Sequence, residues 1–531
     1  MKSLKLALVL VVFTGCGAKP LEPTDPNALM GTLLDLAAFS DKRVGTDGGR
    51  MAGEYVMERM RKIGLTDVHL EGFGFPRHVL ASSSLSATVD GATLTPKQDA
   101  FEGSGAGHAD ADVVFVGSAM EADLLNVDLT GKIAMVERNP MFHRSAQYQN
   151  VTDKGALAML YLSQAPHNLI QIGSVRTDGW TPLGPIPTVT IGADDGAILK
   201  TAALAGKPVH AVIDVQASTT PGTGNNVIGS IPGTDAGGQI VMGAHYDTWF
   251  TGSGDNSGGV ATLLALAERR LKQGKPRYTL VFVAYDGEEV ALYGGYDYLR
   301  KHRIVTPDPI LAVLNFEIPA ANNATQLGLA RSNHPPLDEA LMGAGLGFIY
   351  NLYVGMELVP QLLGGLIPTD IQGIYRNGVP TASTAVNFDY YHTTEDTPDK
   401  VDVTTLAQVV DGFDVAVNSL LLDDKARFAG LDPKLWNAVA TARPRTGNDP
   451  LTIDVAITDA LAAPQAGAVL DATLMVDDFF PTGSVHGMTD GAGKMMLTFP
   501  ADAANAGAGK RFLHITAGPT YPFVEQILAI D

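Results

Sequence analysis

The sequence is short of cysteine, of positive charge and of long apolar runs, and each shortage excludes something. One cysteine among 531 residues, Cys16, rules out an intramolecular disulfide and any zinc site built from several thiolates. Lys+Arg number 37 against 57 Asp+Glu, a net charge of −20, which repels nucleic acid and anionic lipid, so no nucleic-acid partner is expected. The apolar run Leu6 to Phe13 has eight residues where a membrane span needs about 20. No other segment reads as long and apolar enough to cross. What the chain does have is core-forming composition, 45% apolar against 18% charged, and length for roughly two to four domains of about 100–200 residues.

Lys2 and Lys5 precede the apolar run, and the small residues Thr14 and Gly15 follow it, the layout of an export signal. Thr14-Gly15-Cys16 resembles a bacterial lipobox, which implies cleavage before Cys16 and a lipid on it; an ordinary signal with an incidental cysteine is the alternative. The expectation is a signal and lipidated Cys16 over 1–16, a linker over 17–27 carrying Pro20, Pro23 and Pro26, and a place in the cell envelope. Gly17 stands where Asp marks inner-membrane retention, so the outer membrane is the default.

Helical spacing over Met30 to Leu65, broken by the turn Val44-Gly45-Thr46-Asp47-Gly48-Gly49, predicts two helices and then a strand from Val68 to Gly74. Residues 78–216 read as short β-like runs with one clear helix. The runs Asp112 to Gly117, Leu129 to Val136 and Lys154 to Leu162 resemble a protease-associated domain, against the simpler alternative of a plain β-rich insert. After 217 strand and helix alternate. Strands are expected at Ile240 to Met242, Tyr278 to Tyr285, Ile310 to Ile318 and Pro380 to Val386. Helices are expected around Val260, Leu263, Leu264, Ala267 and Leu271, at Val290 to Lys301 and at Leu406 to Leu422. This is an α/β pattern: a mixed sheet with helices on both faces, over 28–77 and 217–440. A linker over 441–450 leads to alternating residues from 451 to 531, read as a small β-sandwich similar to the regulatory domains of secreted peptidases.

The chemistry gathers where strands end. His245-Tyr246-Asp247 closes one strand, and Asp255 follows in Gly254-Asp255-Asn256-Ser257-Gly258-Gly259, just before a helix. Alone, such a pair reads as a surface ion pair or a capped loop. Asp286-Gly287-Glu288-Glu289 follows the Tyr278 strand, where the two Glu also suit a helix N-terminus by charge. Glu317 ends the Ile310 strand, and His392 sits in Tyr391-His392-Thr393-Thr394-Glu395-Asp396-Thr397. Two imidazoles with carboxylates make a donor set suited to Zn²⁺ without sulfur.

These motifs, in this order and spacing, resemble the M28 family of co-catalytic zinc exopeptidases over roughly 30–75 and 220–425. The resemblance implies the zinc exopeptidase fold and two zinc ions per chain. Asp255 would bridge them, His245 and Glu317 would complete one site, and Glu289 and His392 the other. It further implies that Asp247 orients His245, that Glu288 is the catalytic acid and base, and that a cis peptide follows Asp255. The family usually has Asp where this chain has Glu317, a displacement of about one C–C bond, roughly 1.5 Å, which bears on occupancy of that site. Thr369-Asp370 is similar to the family's Ser-Asp-His segment but lacks the His. The expected activity is an aminopeptidase acting on peptides. A carboxypeptidase or dipeptidase, for which Arg331 and Arg376 are candidate carboxylate partners, is the alternative within the family; a non-catalytic receptor on the same fold is the alternative outside it. Oligomeric state is left open.

Overall fold

The structure is a computed structural model. It describes residues 22–530 except 140–141, 177–179, 323–324, 332–333, 351–352, 356–357, 360–366, 430–435, 460, 477, 508 and 519–523. The export signal, Cys16 and residues 17–21 of the expected linker lie outside the described residues. The rest of that linker is not a free tether. Thr24 donates to Asp411 through both its N–H (3.1 Å) and its hydroxyl (2.6 Å), and Asp25 caps a helix that already starts at Pro26.

At the centre lies a mixed sheet, with strand order Tyr353–Gly355, Thr325–Arg331, Thr381–Asn387, Ile310–Phe316, Asp235–His245, Tyr278–Tyr285 and Val209–Ile231. The Thr381, Ile310, Asp235 and Tyr278 strands are mutually parallel, and antiparallel pairings flank them on both sides. Strand alternation sorts their side chains. Ile240, Met242 and Ala244 enter one core with Val56, Leu263, Leu264, Phe413 and Val417 from the helices Asp47–Ile63, Gly258–Lys272 and Val403–Leu422. Val241, between them, joins Val281, Val283, Tyr296 and Ile371 on the opposite face. Each such side chain taken fully out of water contributes about 1.5–3 kcal/mol.

Several sequence expectations need correcting. By length and composition Val403–Leu422, 20 residues of mean hydropathy 1.2, would pass for a membrane span, but Leu406, Val409, Val410, Phe413, Val417 and Leu420 are buried in the body. The helix expected over 290–301 is split into Glu288–Ala291 and Tyr293–Leu299 by Leu292, whose φ is 57°. The split lets Gly294 and Gly295 lie directly on the backbone of Asp286 and Asp370, where a Cβ would come within 2.6 and 2.1 Å of a carbonyl oxygen.

The bounds expected for the insert, 78 and 216, fall inside two long strands and not in linkers. Thr66–Val89 and Val209–Ile231 pair with each other along most of their length, with a register shift between Leu80 and Ser82, and their side chains pass from the central cores (Phe73, Phe75, Val227) to a core of the insert's own (Leu85, Ala87, Val209, Ile213). It holds more than the one helix expected: the parallel strands Ile133–Glu137, Ala158–Leu162 and Thr188–Ile191 are accompanied by helices Arg144–Asp153 and Ala193–Leu204. Arg176 fastens the insert, forking onto Glu102 and donating to Tyr293 Oη at 2.6 Å with its side chain 1% exposed. Removing one partner of such a buried pair costs about 3–5 kcal/mol.

The sandwich begins before 451. Trp436–Ala442 pairs with Leu451–Asp459, so residues 443–450 are a loop within the sandwich and 441–450 is no linker. A three-stranded and a four-stranded sheet share a core of Ile453, Val455, Leu474, Leu497, Phe499 and Ile515. Phe479, Phe512 and Ile527 belong instead to the second core of the central sheet, as does Trp180 of the insert. That face, expected to be covered by helices, is covered by short helices and by both accessory domains.

Candidate metal centre

Because three neighbouring strands are parallel, the residues that follow them emerge at one edge: His245, Asp286 to Glu289, and Glu317. Asn256 brings Asp255 to the same place. Its side chain donates to Phe316 O (2.7 Å) and accepts from Gly259 N (3.1 Å) and Ile318 N (3.0 Å), stapling the start of the Gly258–Lys272 helix to the end of the Ile310 strand. Only glycine fits at 259, where a Cβ would lie 2.2 Å from Phe316 O. The Asp255–Asn256 peptide is cis.

Two buried triads result, His245–Asp255–Glu317 and Asp255–Glu289–His392, each with one donor atom per residue and all three atoms within 4.8 Å of one another. His245 Nε2 is 3.3 Å from both Asp255 and Glu317, and His392 Nε2 is 2.9 Å from Asp255 and 3.0 Å from Glu289. Glu288 stands beside them, its Oε2 4.0 Å from His245 Nε2; it is partly open to solvent where Glu289 is buried. The structure therefore assembles every residue that the motifs nominated.

Asp247 takes a different part from the one expected. The bond that orients His245 goes from its Nδ1 to the backbone carbonyl of Asp247, at 2.9 Å, while the nearest carboxylate oxygen is 3.5 Å away. That carboxylate accepts the N–H groups of Glu288 (3.1 Å) and Glu289 (3.2 Å), holding the acidic pair in place at a helix start.

Other contacts at the site escaped the sequence reading. Thr369 Oγ1 donates to Glu317 Oε2 at 3.1 Å, which gives the longer side chain a fixed reach. Asp396 accepts from the N–H groups of Gly254 (2.7 Å) and Asp255 (3.1 Å), and burial pushes its carboxyl up to about 7. The insert contributes a clasp: His392 Nδ1 donates to Ile172 O (2.9 Å), Ile172 N donates to His392 O (3.1 Å), and Gln171 donates to Tyr391 O (2.8 Å). His392 has φ 57°, a backbone region disfavoured for side-chain-bearing residues, and this clasp holds it there. Arg144, also from the insert, interacts with Tyr391 and Glu289 and nests against Gly173, where a Cβ would be 2.1 Å from its guanidinium. Spacing in sequence carries no signal for these contacts, since the partners are far apart in the chain. The two arginines proposed from sequence lie elsewhere: Arg376 is buried 3.7 Å from Glu525 of the sandwich, and Arg331 is 3.5 Å from Asp338.

The electrostatics call for a cation. A backbone carbonyl can only accept, so each Nδ1 carries a hydrogen and each Nε2 faces carboxylates. Burial disfavours an imidazolium, yet Glu317 and Glu288 hold the His245 pKa well above its usual value, and Glu289 and Asp255 raise that of His392. Burial likewise raises Asp255, but the two imidazoles beside it outweigh burial and hold that carboxyl below the usual range. Burial pushes Glu317 up to about 7 against the pull of His245. Glu288 is raised well above the carboxylate range by burial, with Glu317 and Glu289 adding to it and His245 opposing. Asp255 Oδ1, Glu289 Oε1 and His392 Nε2 are buried without a hydrogen-bond partner. Buried carboxylates in this excess are costly unless paired, and a divalent cation in each triad would take the place of the protons on Nε2. The residues present fit such ions.

Fold and site together define a class: an α/β chain with metal-ligating side chains clustered at the carboxyl edge of its sheet. Residues 226–416, the segment that carries the site, match the model of peptidase family M28. A probable glutamate carboxypeptidase of Zea mays is 25% identical over 388 residues, 60% of this chain and 53% of that protein; the chain spans about half the length of that relative. A peptidase M28 precursor from Shewanella amazonensis SB2B superposes with a TM-score of 0.60 at 21% identity, over 74% of this chain and 93% of the other. A zinc aminopeptidase from Bacillus subtilis does so at 0.56 and 21%, over 74% and 95%. Both share the fold.

Proposed function

We propose that the chain is a zinc-dependent exopeptidase that hydrolyses a terminal peptide bond with an activated water, using two zinc ions. The observation that carries this reading is the pair of buried triads sharing Asp255 with Glu288 beside them. His245, Asp255 and Glu317 would hold one ion, and Asp255, Glu289 and His392 the other. Bound zinc would lower the pKa of a water towards neutrality and stabilise the oxyanion of the attacked carbonyl. Glu288 does the proton work: beside both triads but in neither, its carboxylate takes the proton of the attacking water and delivers it to the leaving amine nitrogen. Glu289 is held by its N–H on Asp247 and by His392, which keeps the two neighbours in separate tasks.

The first reading of the mode is an aminopeptidase. A second reading, a carboxypeptidase or dipeptidase, is favoured by Arg144, a guanidinium from the insert placed beside Glu289 and Tyr391, where a free C-terminal carboxylate would find a partner. Zinc content per chain, measured alongside hydrolysis of aminoacyl nitroanilides and of dipeptides with free C-termini, tests the whole. Chelator-sensitive hydrolysis of either substrate supports the enzyme, and zinc bound without it would leave a non-catalytic binding protein. Arg144→Ala raises KM for the free dipeptides alone under the second reading, and leaves both substrates alike under the first.

We further infer that the chain is anchored in a bacterial envelope through a lipid on Cys16. Support comes from the basic, apolar and small-residue order of residues 2–16. Mass spectrometry of the N-terminal peptide, and release of Cys16→Ser from the membrane fraction, test it.

A further inference from the structure

Three parts of the chain meet in one buried polar junction away from the metal ligands. Glu525 of the sandwich, its side chain fully buried, accepts from Tyr296 Oη at 2.6 Å and from His514 Nε2, and its second oxygen lies 3.7 Å from Arg376. Trp180 of the insert donates its indole N–H to His514 Nδ1 at 2.9 Å, so the His514 hydrogen sits on Nε2 and points at Glu525. Tyr296 Oη in turn accepts from Gln372 Nε2 at 2.6 Å, and Gln372 Oε1 accepts from Ile367 N at 2.8 Å.

That last bond reaches the metal centre. Ile367 begins the turn containing Thr369, whose N–H donates to Ile367 O at 2.8 Å and whose hydroxyl donates to Glu317. Asn315 fixes the same hydroxyl, donating to it at 2.5 Å. The turn rests on the helix that carries Tyr296, since a Cβ on Gly295 would lie 2.1 Å from Asp370 O and one on Gly373 would lie 2.4 Å from the Tyr296 ring. If the junction merely docked one domain on another, apolar side chains would do it more cheaply than a buried carboxylate with directed bonds.

We propose that the C-terminal sandwich is a positioning element for the Glu317 side of the metal centre, acting through Glu525, Tyr296 and Gln372 on the turn 367–370. The proposal rests on the metallopeptidase reading above. In its terms Glu525, Tyr296, Gln372 and Thr369 are positioning residues. They set where the Glu317 carboxylate stands, and neither Asp255 nor the His392 side depends on them.

The test is zinc titration of the metal-free full-length chain against a competing chelator, with thermal melting in parallel. Tyr296→Phe, Gln372→Met and Thr369→Val each weaken one of the two zinc-binding events by about tenfold and leave the other unchanged. Thr369→Ser recovers most of what Thr369→Val loses. If the first two variants melt earlier but bind both ions as the wild type does, the junction is structural only and the proposal falls. If Thr369→Val alone is affected, the turn matters but the sandwich does not, and the proposal falls again. A wild-type chain that binds no zinc overturns the metallopeptidase reading itself, a distinct result that takes the proposal with it.

Discussion

Glu317 and His392 stand on opposite sides of Asp255, and the chain supports them by different means. Glu317 directly follows a strand of the central sheet. Its backbone carbonyl accepts from Thr384 at 2.9 Å, its side chain from Thr369, and Asn256 ties its strand to the Asp255 turn. His392 lies in a loop with a left-handed backbone, and its imidazole is oriented by Ile172 from the inserted domain. One side is thus built on parallel-sheet geometry, which the sandwich reaches only through the intervening Tyr296, Gln372 and Thr369, and the other on direct contact between two domains. A metal centre of this kind lets an insertion far from the signature motifs control a ligand without supplying one.

The comparison can be broken at its shared member first. Asp255→Asn removes a charge common to both triads, so zinc retained after dialysis falls on both sides and hydrolysis drops to background; retention of one ion would show that the sides are independent even there. Next in size is Glu288→Gln, which reduces kcat by about 10²–10⁴-fold with zinc content unchanged, because in the proposed reaction Glu288 moves protons and holds no ion. Zinc loss in that variant, measured by atomic emission, would place it among the ligands instead.

The smallest effects form a mirrored pair. Glu317→Asp withdraws its carboxylate by about 1.5 Å from His245 and Thr369, and weakens one zinc-binding event by about tenfold. Gly173→Ala drives a Cβ into the Arg144 guanidinium, at a φ of 151° that suits only glycine, and disturbs the clasp next to it. It weakens the other zinc-binding event by about tenfold. Chelator competition that shows both variants affecting the same event would erase the distinction between the two sides.

Much of the site could be read from the sequence because its parts are local. Asp255 with its glycines, the pair Glu288-Glu289 and the run around His392 are contiguous motifs, and the strands before them show as apolar runs with the right period. Tyr278–Tyr285 appears as a strand with the ends expected of it, since a buried parallel strand is apolar throughout. Boundaries fared worse where an element ran through a supposed junction. Thr66–Val89 and Val209–Ile231 run as single strands from one domain into the next, so 78 and 216 mark a change of core within a strand and not the end of an element, and Trp436–Ala442 joins the sandwich ahead of its alternating pattern.

By itself the sequence determined which side chains can bind metal, their order, and the α/β frame whose strand ends collect them, because those properties follow from residue type and short-range periodicity. Tertiary structure alone decided who supports whom. The carboxylate of Asp247 serves Glu288 and Glu289 while its carbonyl serves His245, and Ile172 steadies His392 from 220 residues away. Arg376 answers Glu525 and lies outside the metal centre. Hydrogen bonds between residues so distant in the chain depend on the angle and register at which whole elements pack, and no local pattern of residues encodes that.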